Sequence, residues 1–368
     1  MNIPTFGTIF IDCQVSKNTA MPKKGESAAS KMRITILIPA HNEEKSIAAC
    51  VSSCLNQSRP ADEIVVVNNG TTDGSTKILE SFGKKITLLN TPALGNKSYA
   101  QEYGLNHVTG DVFIATDGDT ILGHDFVKHI EEDFQDTSIT AVAGYVRSMK
   151  YNWLTACRAF EYAVGQNLHK LAQHHLNYLF VIPGAAGAFR TKDFFKHVKF
   201  EHDTLTEDLD FTYRLHKKGL RVFYDRRLIV FTQDPMTLYA YVNQMRRWFG
   251  GGWQCLMKHW SLAVSQPKIA LELSLMYLEG LVFSLLFFLL PLFSFRFFGA
   301  FIISYMTVAI LFAIFAAWRE KRWELLLVPI PYLLLVTINS YIFLEQMVKE
   351  VILHRKNLYW FKPERVNV

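Results

Sequence analysis

Two aspartates, Asp117 and Asp119, flank Gly118 directly after an apolar run. Carboxylates one residue apart can hold a hard divalent cation, which keeps several waters and takes its other ligands from phosphate oxygens. Alone, the same tripeptide is a solvated turn. Further along stands Thr206-Glu207-Asp208. A carboxylate there could take a proton from an attacking hydroxyl; equally, Thr206 could cap a helix whose early acids suit its dipole. Gln244, Arg247 and Trp248 form a Q-x-x-R-W cluster inside a stretch, 236–260, that reads as helical, which puts all three on one face. Arginine offers a planar fork for phosphate oxygens, and tryptophan a flat apolar face for a sugar ring. In this order and spacing the three strings point to a sugar carried on a phosphate, a metal and a catalytic base.

Such groups need a rigid frame. Short apolar runs at 33–39, 63–68, 86–89 and 111–116 read as buried strands. Between the first two lies a helical stretch with Ile47, Val51 and Leu55, and another helix follows Asp73. Strands alternating with helices predict an α/β fold with a mostly parallel central sheet covered on both faces. The polar clusters His41–Glu44, Asn68–Asp73 and Asp117–Asp119 fall just past strand ends, where ligands of such sheets bind. They are expected to converge on one rim.

Half of the 368 residues are hydrophobic, and they are unevenly spread. Beyond residue 265 come three apolar runs, 274–295, 298–318 and 323–348, each long enough for a bilayer, which takes about 20 residues. Glu279, Pro329, Pro331 and Glu345 interrupt them. Buried core helices are the alternative, though rarely this long or this poor in charge. Arg319, Lys321 and Arg322, between the second and third runs, read as cytoplasmic. Residues 1–31 lack the apolar core of a signal peptide and read as a loose arm, which leaves a catalytic domain at 32–235 in the cytoplasm. Trp253, Trp260, Arg246 and Lys258 mark 236–265 as an amphipathic interfacial helix. About three spans, 266–348, would leave the tail 349–368 outside. Its Lys349, His354, Arg355, Lys356, Lys362 and Arg365 favour the inside, so one apolar segment could be re-entrant or interfacial. Five cysteines, an odd count without metal-ligand spacing, fit a reduced compartment, with Cys50 and Cys54 as packing. The net charge of +6 is modest, and no nucleic-acid partner is expected.

Over residues 32–260 the chain resembles a family 2 glycosyltransferase of GT-A fold, in the membrane-integrated branch of cellulose, chitin, hyaluronan and poly-N-acetylglucosamine synthases. The resemblance rests on Ile36-Leu-Ile-Pro-Ala-His-Asn-Glu-Glu44, Glu63–Ser75, Asp117-Gly-Asp119, Pro183-Gly-Ala-Ala-Gly-Ala-Phe-Arg190, Thr206-Glu-Asp208 and Gln244–Trp248. It implies a GT-A domain followed by an interfacial helix and C-terminal transmembrane helices. It further implies that Asn68 and Asn69 contact the nucleobase and ribose, and that Asp117 approaches the ribose and diphosphate. Asp119 would ligate Mg²⁺ or Mn²⁺, Lys97 would lie near the donor, and Gly184 and Gly187 would border the acceptor. Glu207 would shape the acceptor pocket, Asp208 would be the base, and Gln244 belongs to the same site. Arg247 would steady the departing diphosphate and Trp248 stack under the acceptor sugar. The chain departs from the family pattern at Asn68, where an acid is usual, and an amide makes uracil recognition less secure than metal binding.

The implied activity is inverting, metal-dependent transfer from a UDP-sugar, N-acetylglucosamine or glucose favoured, to a growing polysaccharide. Its place would be the cytoplasmic face of the inner (plasma) membrane, in contact with membrane lipids. With about three spans, a pore would call for a partner subunit or a homo-oligomer. The alternatives are single-sugar transfer to a lipid acceptor and an inactive export or scaffold subunit; a transporter fails on the number of spans.

Overall fold

The computed structural model describes residues 31–265, 267–356, 358, 361 and 365–367. The expected N-terminal arm lies outside them, apart from Lys31. The first half alternates as anticipated: β1 (Ile34–Ala40), α1 (Ile47–Leu55), β2 (Glu63–Asn69), α2 (Ser75–Ser81), β3 (Thr87–Thr91), α3 (Lys97–Leu105) and β4 (Val112–Ala115). There follow β5 (Thr120–Leu122), α4 (Phe126–Asp133), β6 (Ile139–Ser148), α5 (Trp153–Val164), α6 (Lys170–His175), β7 (Gly187–Arg190), α7 (Thr191–His197), α8 (Glu207–Lys217) and β8 (Arg221–Thr232). These strands form one 8-stranded sheet in the order β3-β2-β1-β4-β7-β6-β8-β5. The β1–β2, β2–β3, β1–β4 and β6–β8 pairs are parallel, whereas β7 runs antiparallel to both β4 and β6, and β5 antiparallel to β8.

Strand β1 shows why the sheet is central. All seven of its residues are buried, and period-two alternation sends its side chains to opposite faces. Ile34, Ile36 and Ile38 join Cys50, Val51 and Cys54 of α1 and Leu79 of α2 in one layer. Leu37 joins Ala100 and Leu105 of α3 and Phe211 and Leu215 of α8 in the other. The cysteines Cys50, Cys54, Cys157 and Cys255 are free and buried. Because β1, β2 and β4 are parallel, their carboxyl ends lie on one rim, and the three polar clusters follow them there.

Six further α-helices follow among the described residues: α9 (Leu238–Lys258), α10 (Trp260–Ser265), α11 (Pro267–Leu273), α12 (Glu279–Phe293), α13 (Phe295–Glu320) and, after a short turn, α14 (Pro329–Met347). Two helical stretches among the described residues, Pro267–Phe293 and Phe295–Glu320, are long and apolar enough to cross a membrane. The third apolar run divides instead. Its start is a 3₁₀ turn, and α14 packs against α9 and α12, with Leu335, Val336 and Ile342 buried.

The helix bearing Q-x-x-R-W is less superficial than its pattern suggested. Trp253, expected as an interfacial anchor, is buried against Tyr277 and Phe343. Arg246 pairs with Glu345 of α14 at 2.9 Å, and Lys258 with Glu201 at 2.9 Å. The large apolar side chains that α9 exposes, Leu238, Tyr239 and Met257, lie near its two ends, and Trp260 beyond it is exposed as well.

Candidate active site

The rim gathers three charged groups within bonding distance. Lys97, at the start of α3, has its Nζ 2.5 Å from Asp117 Oδ1 and 3.2 Å from Glu207 Oε1. The loop that delivers Lys97 ends in Asn96, whose side chain caps α3 by accepting from the Ser98 N–H at 3.0 Å. Burial works against a charged Lys97, but Asp117 and Glu207 outweigh it and hold its pKa above the ordinary value. The lysine therefore stays cationic between the two carboxylates.

Asp208 lies beside them in the first turn of α8. Thr206 occupies the N-cap position without a capping side-chain bond; its hydroxyl lies 3.5 Å from Cys255 Sγ. Asp208 accepts from the Gly184 N–H at 3.2 Å and from its own neighbour's, Leu209 N–H, at 2.9 Å. A cavity of about 20 Å³ beside Glu207 and Asp208 is walled by Phe113, Phe189 and Phe211. Burial, then the charge of Glu207, raise the Asp208 pKa to about 6, with Lys97 opposing. A carboxylate so tuned is a better proton acceptor near neutral pH than an ordinary aspartate.

Gly184 faces this cluster: a Cβ there would stand 2.9 Å from Lys97 Nζ. Gly187 does not. It is a buried β7 residue whose missing side chain makes room for Ile182 and Phe189, at 2.9 and 3.1 Å from a Cβ, so its absent side chain serves packing rather than a sugar. Asn68 and Asn69 reach the rim, the Asn69 amide committed and the Asn68 Oδ1 without a partner. Asn68 donates to Thr76 Oγ1 at 2.9 Å and to Asn90 Oδ1 at 2.8 Å. Asn69 accepts from the Leu94 N–H at 2.7 Å, and its carbonyl accepts from His41 Nδ1 at 2.7 Å. Gly70, next in line, has φ +58°, and a Cβ would come within 2.6 Å of the Ala93 backbone, so only glycine fits.

Asp119 is buried and accepts from the Thr120 hydroxyl at 3.2 Å. It also forms an ion pair with Arg365, from the C-terminal tail. That tail is fastened by reciprocal bonds between Val366 and the Gln233 side chain, both 3.0 Å, and by Arg365 donating to the Gln233 carbonyl at 2.7 Å. Among the described residues no group of three His, Cys, Asp or Glu side chains is arranged as a metal cluster. Asp117 and Asp119 nevertheless fit a hard cation that draws its other ligands from phosphate and water. Each carboxylate already faces a positive group, which shows that the spot favours one.

Gln244, Arg247 and Trp248 share a face of α9, as their spacing required. Gln244 is buried with its Oε1 lacking a partner. Trp248 is half-buried, with Arg158 of α5 seated 4.8 Å from its ring centroid. Arg158 is itself buried in an ion pair with Glu161, at 3.4 Å from Asp234 and 3.1 Å from the Tyr162 hydroxyl. Tyr332 of α14 closes the cage by donating to Glu161 at 3.2 Å. Where α9 meets α8, Gly251 permits contact: a Cβ there would stand 2.6 Å from Thr206. His259 and Arg214 hold Asp210 at 2.6 and 2.8 Å, which binds the start of α8 to the end of α9. None of Arg158, Arg365 and Gly251 stood out in the sequence.

Fold and rim together define a glycosyltransferase of GT-A type. A profile of the family described as "Glycosyltransferase like family 2" matches residues 32–251, and the chain belongs to that family. It is 25% identical over 287 residues to a poly-beta-1,6-N-acetyl-D-glucosamine synthase of Staphylococcus epidermidis, covering 77% of this chain and 69% of that one. A synthase of the same name from Staphylococcus aureus is 25% identical over 229 residues, 61% of this chain and 56% of the relative, so the match spans little more than half of that protein. Among solved structures, a mannosyltransferase from Pyrobaculum calidifontis, in complex with GDP-Man and Mn²⁺, superposes with a TM-score of 0.61. It is 18% identical, over 87% of both chains.

Proposed function

We propose that the chain transfers a sugar, with inversion, from a UDP-sugar to a hydroxyl of a growing polysaccharide at the cytoplasmic face of a membrane. The observation that carries this reading is Asp208: a half-buried carboxylate that accepts from the Gly184 N–H at 3.2 Å beside the Lys97–Asp117 pair, with its pKa raised to about 6. In the proposed reaction the acceptor hydroxyl attacks the anomeric carbon and its proton passes to Asp208. The bond from that carbon to the diphosphate oxygen breaks, and the nucleoside diphosphate leaves. Lys97 and Arg247 bear positive charge for the diphosphate, and Asp117 approaches the ribose. Asn68 and Asn69 border the base, Glu207 and Gly184 shape the acceptor side, and Gln244 and Trp248 hold the acceptor sugar from α9. Asp119, with Asp117, would hold Mg²⁺ or Mn²⁺, which when bound supplies Lewis-acid charge at the diphosphate. The names of the staphylococcal relatives favour N-acetylglucosamine, with glucose next.

A second reading, transfer of one sugar to a lipid acceptor, is favoured by the membrane helices. Two helices of spanning length offer no channel of their own, whereas they suffice to bring the rim to a lipid. A polymer-exporting form would need a partner subunit or a homo-oligomer.

Product analysis tests both. Purified full-length protein with Mn²⁺ is offered labelled UDP-N-acetylglucosamine, UDP-glucose and GDP-mannose. A ladder from one UDP-sugar supports the first reading, and one sugar on an extracted lipid supports the second. Turnover of the GDP-sugar alone overturns the assignment of the base.

A further inference from the structure

A larger and more polar cavity, of about 150 Å³, lies where α13 ends against β6 and α5. Its walls include Tyr145, Arg147 and Ser148 of β6, Tyr162 of α5, and Glu320 and Arg322. Sugar transfer as proposed uses none of these residues.

Charge there is unevenly matched. Arg147, Lys150 and Arg322 share Glu320 and Glu324. Glu320 is taken up by the Tyr145 hydroxyl at 2.5 Å and by Arg147 at 2.9 Å. Glu324 is taken up by Arg322 at 3.0 Å and Lys150 at 3.2 Å. Arg319 donates to Asn167 at 3.1 Å, a neutral partner. Of the two guanidiniums that wall the cavity, Arg322 keeps Nη2 buried without a hydrogen-bond acceptor, while Arg147 Nε has Glu320 beside it at 2.9 Å. For Arg147 the ion pair with Glu320 is close enough in distance but misaligned as a hydrogen bond. A buried charged donor left unmade is costly, and a tetrahedral oxyanion satisfies such forked donors well.

The depth of the cavity is marked by tryptophans. Trp318 and Trp323, on either side of the basic turn, are 66% and 68% exposed. Exposed tryptophans beside arginines at the end of an apolar helix are the signature of the headgroup layer. Basic pockets at this level on the cytoplasmic side suit acidic headgroups.

We propose that this cavity binds a phosphate group, that of an anionic lipid headgroup or a free phosphate, held by Arg147 and Arg322, which sugar transfer as proposed does not use. The inference rests on the membrane part of the proposed function and not on the chemistry at Asp208. Bound lipid phosphate would clamp the end of α13 to β6 and so fix the catalytic domain against the membrane.

The test is native mass spectrometry of the full-length, delipidated protein in detergent, offered phosphatidylglycerol, phosphatidylcholine or inorganic phosphate. The site predicts phosphatidylglycerol adducts retained at least about tenfold better than phosphatidylcholine, weakening with salt. The double variant Arg147→Gln/Arg322→Gln should lose that preference, and Arg147→Lys/Arg322→Lys should keep most of it. Retention of inorganic phosphate equal to that of phosphatidylglycerol would support the site and name free phosphate as its ligand. Equal retention of the two lipids by the wild type overturns the proposal even if the glutamine variant does not fold. An unchanged preference in a folded glutamine variant overturns it as well. Sugar transfer measured on the same preparations separates the two ideas, because a wild type that transfers sugar yet retains both lipids equally counts only against this site.

Discussion

The sheet domain and the C-terminal helices solve opposite problems. On the rim of the sheet, charged side chains are buried or half-buried and answered by other charges: Lys97 by Asp117 and Glu207, Asp119 by Arg365, Asp210 by His259 and Arg214. Along α12 and α13 almost nothing is charged and the large apolar side chains face outward, with Phe293 84% and Phe295 81% exposed. Surface of that kind is stable only in an apolar surrounding. The first region is suited to an ionic ligand, and the second presents the kind of apolar surface that a membrane or a protein partner covers. The difference explains why the seam between them, rather than either region alone, carries the unusual contacts. Arg158 of the sheet domain meets Trp248 of α9 and, through Glu161, Tyr332 of α14.

The largest effect should come from breaking that seam. Arg158→Leu strands Glu161 and Asp234 without their shared cation, and removing one partner of a buried pair typically costs about 3–5 kcal/mol. Thermal unfolding in detergent should fall accordingly, and Trp248 fluorescence should change with it. Next, Leu311→Arg places a charge on the exposed face of α13. Insertion should become less favourable by about 2.5–3.5 kcal/mol, read as protein lost from the membrane fraction. A change no larger than that of Leu311→Ala would mean α13 does not cross the bilayer.

These regions were not equally legible in the sequence. The rim was, because a fully buried β1 forces its polar successors onto the carboxyl end, and the spacing of Asp117 and Asp119 needs no partner to be understood. The helical face of Gln244, Arg247 and Trp248 was legible for the same reason, since three residues a turn apart share a face whatever surrounds them. Contacts distant in the chain were not. Nothing local marks Arg365 as the partner of Asp119, or distinguishes Arg158 from a surface arginine on a helix. Gly187 looked like Gly184 until the sheet put it inside β7. Trp253 and the third apolar run were read as membrane-facing because hydropathy is blind to which protein surface is available; α14 and α9 bury each other instead.

Smaller effects sharpen the rim itself. The base must be unprotonated, so with a pKa of about 6 for Asp208 the reactive fraction is full above neutral and falls as the pH drops. kcat/KM should be roughly tenfold lower at pH 5 than on its plateau. A flat profile from pH 5 to 8 would argue that Asp208 does not titrate in the reaction. Smallest is the tail. Because Arg365 pairs with Asp119, Arg365→Ala should tighten Mn²⁺ binding, followed by electron paramagnetic resonance, by roughly two- to tenfold, the gain expected when a competing closed form is removed. Unchanged affinity would mean the tail leaves the carboxylate without cost.

The most direct test of the account compares wild type with Asp208→Asn in the presence of Mn²⁺ and the UDP-sugar that the wild type uses. Donor binding is measured by calorimetry alongside transfer. With Asp208 as the base, donor affinity stays within about twofold and transfer falls by about 10²–10⁴, the usual contribution of a positioned base. Transfer within a few-fold of wild type, with the donor bound equally, would contradict it.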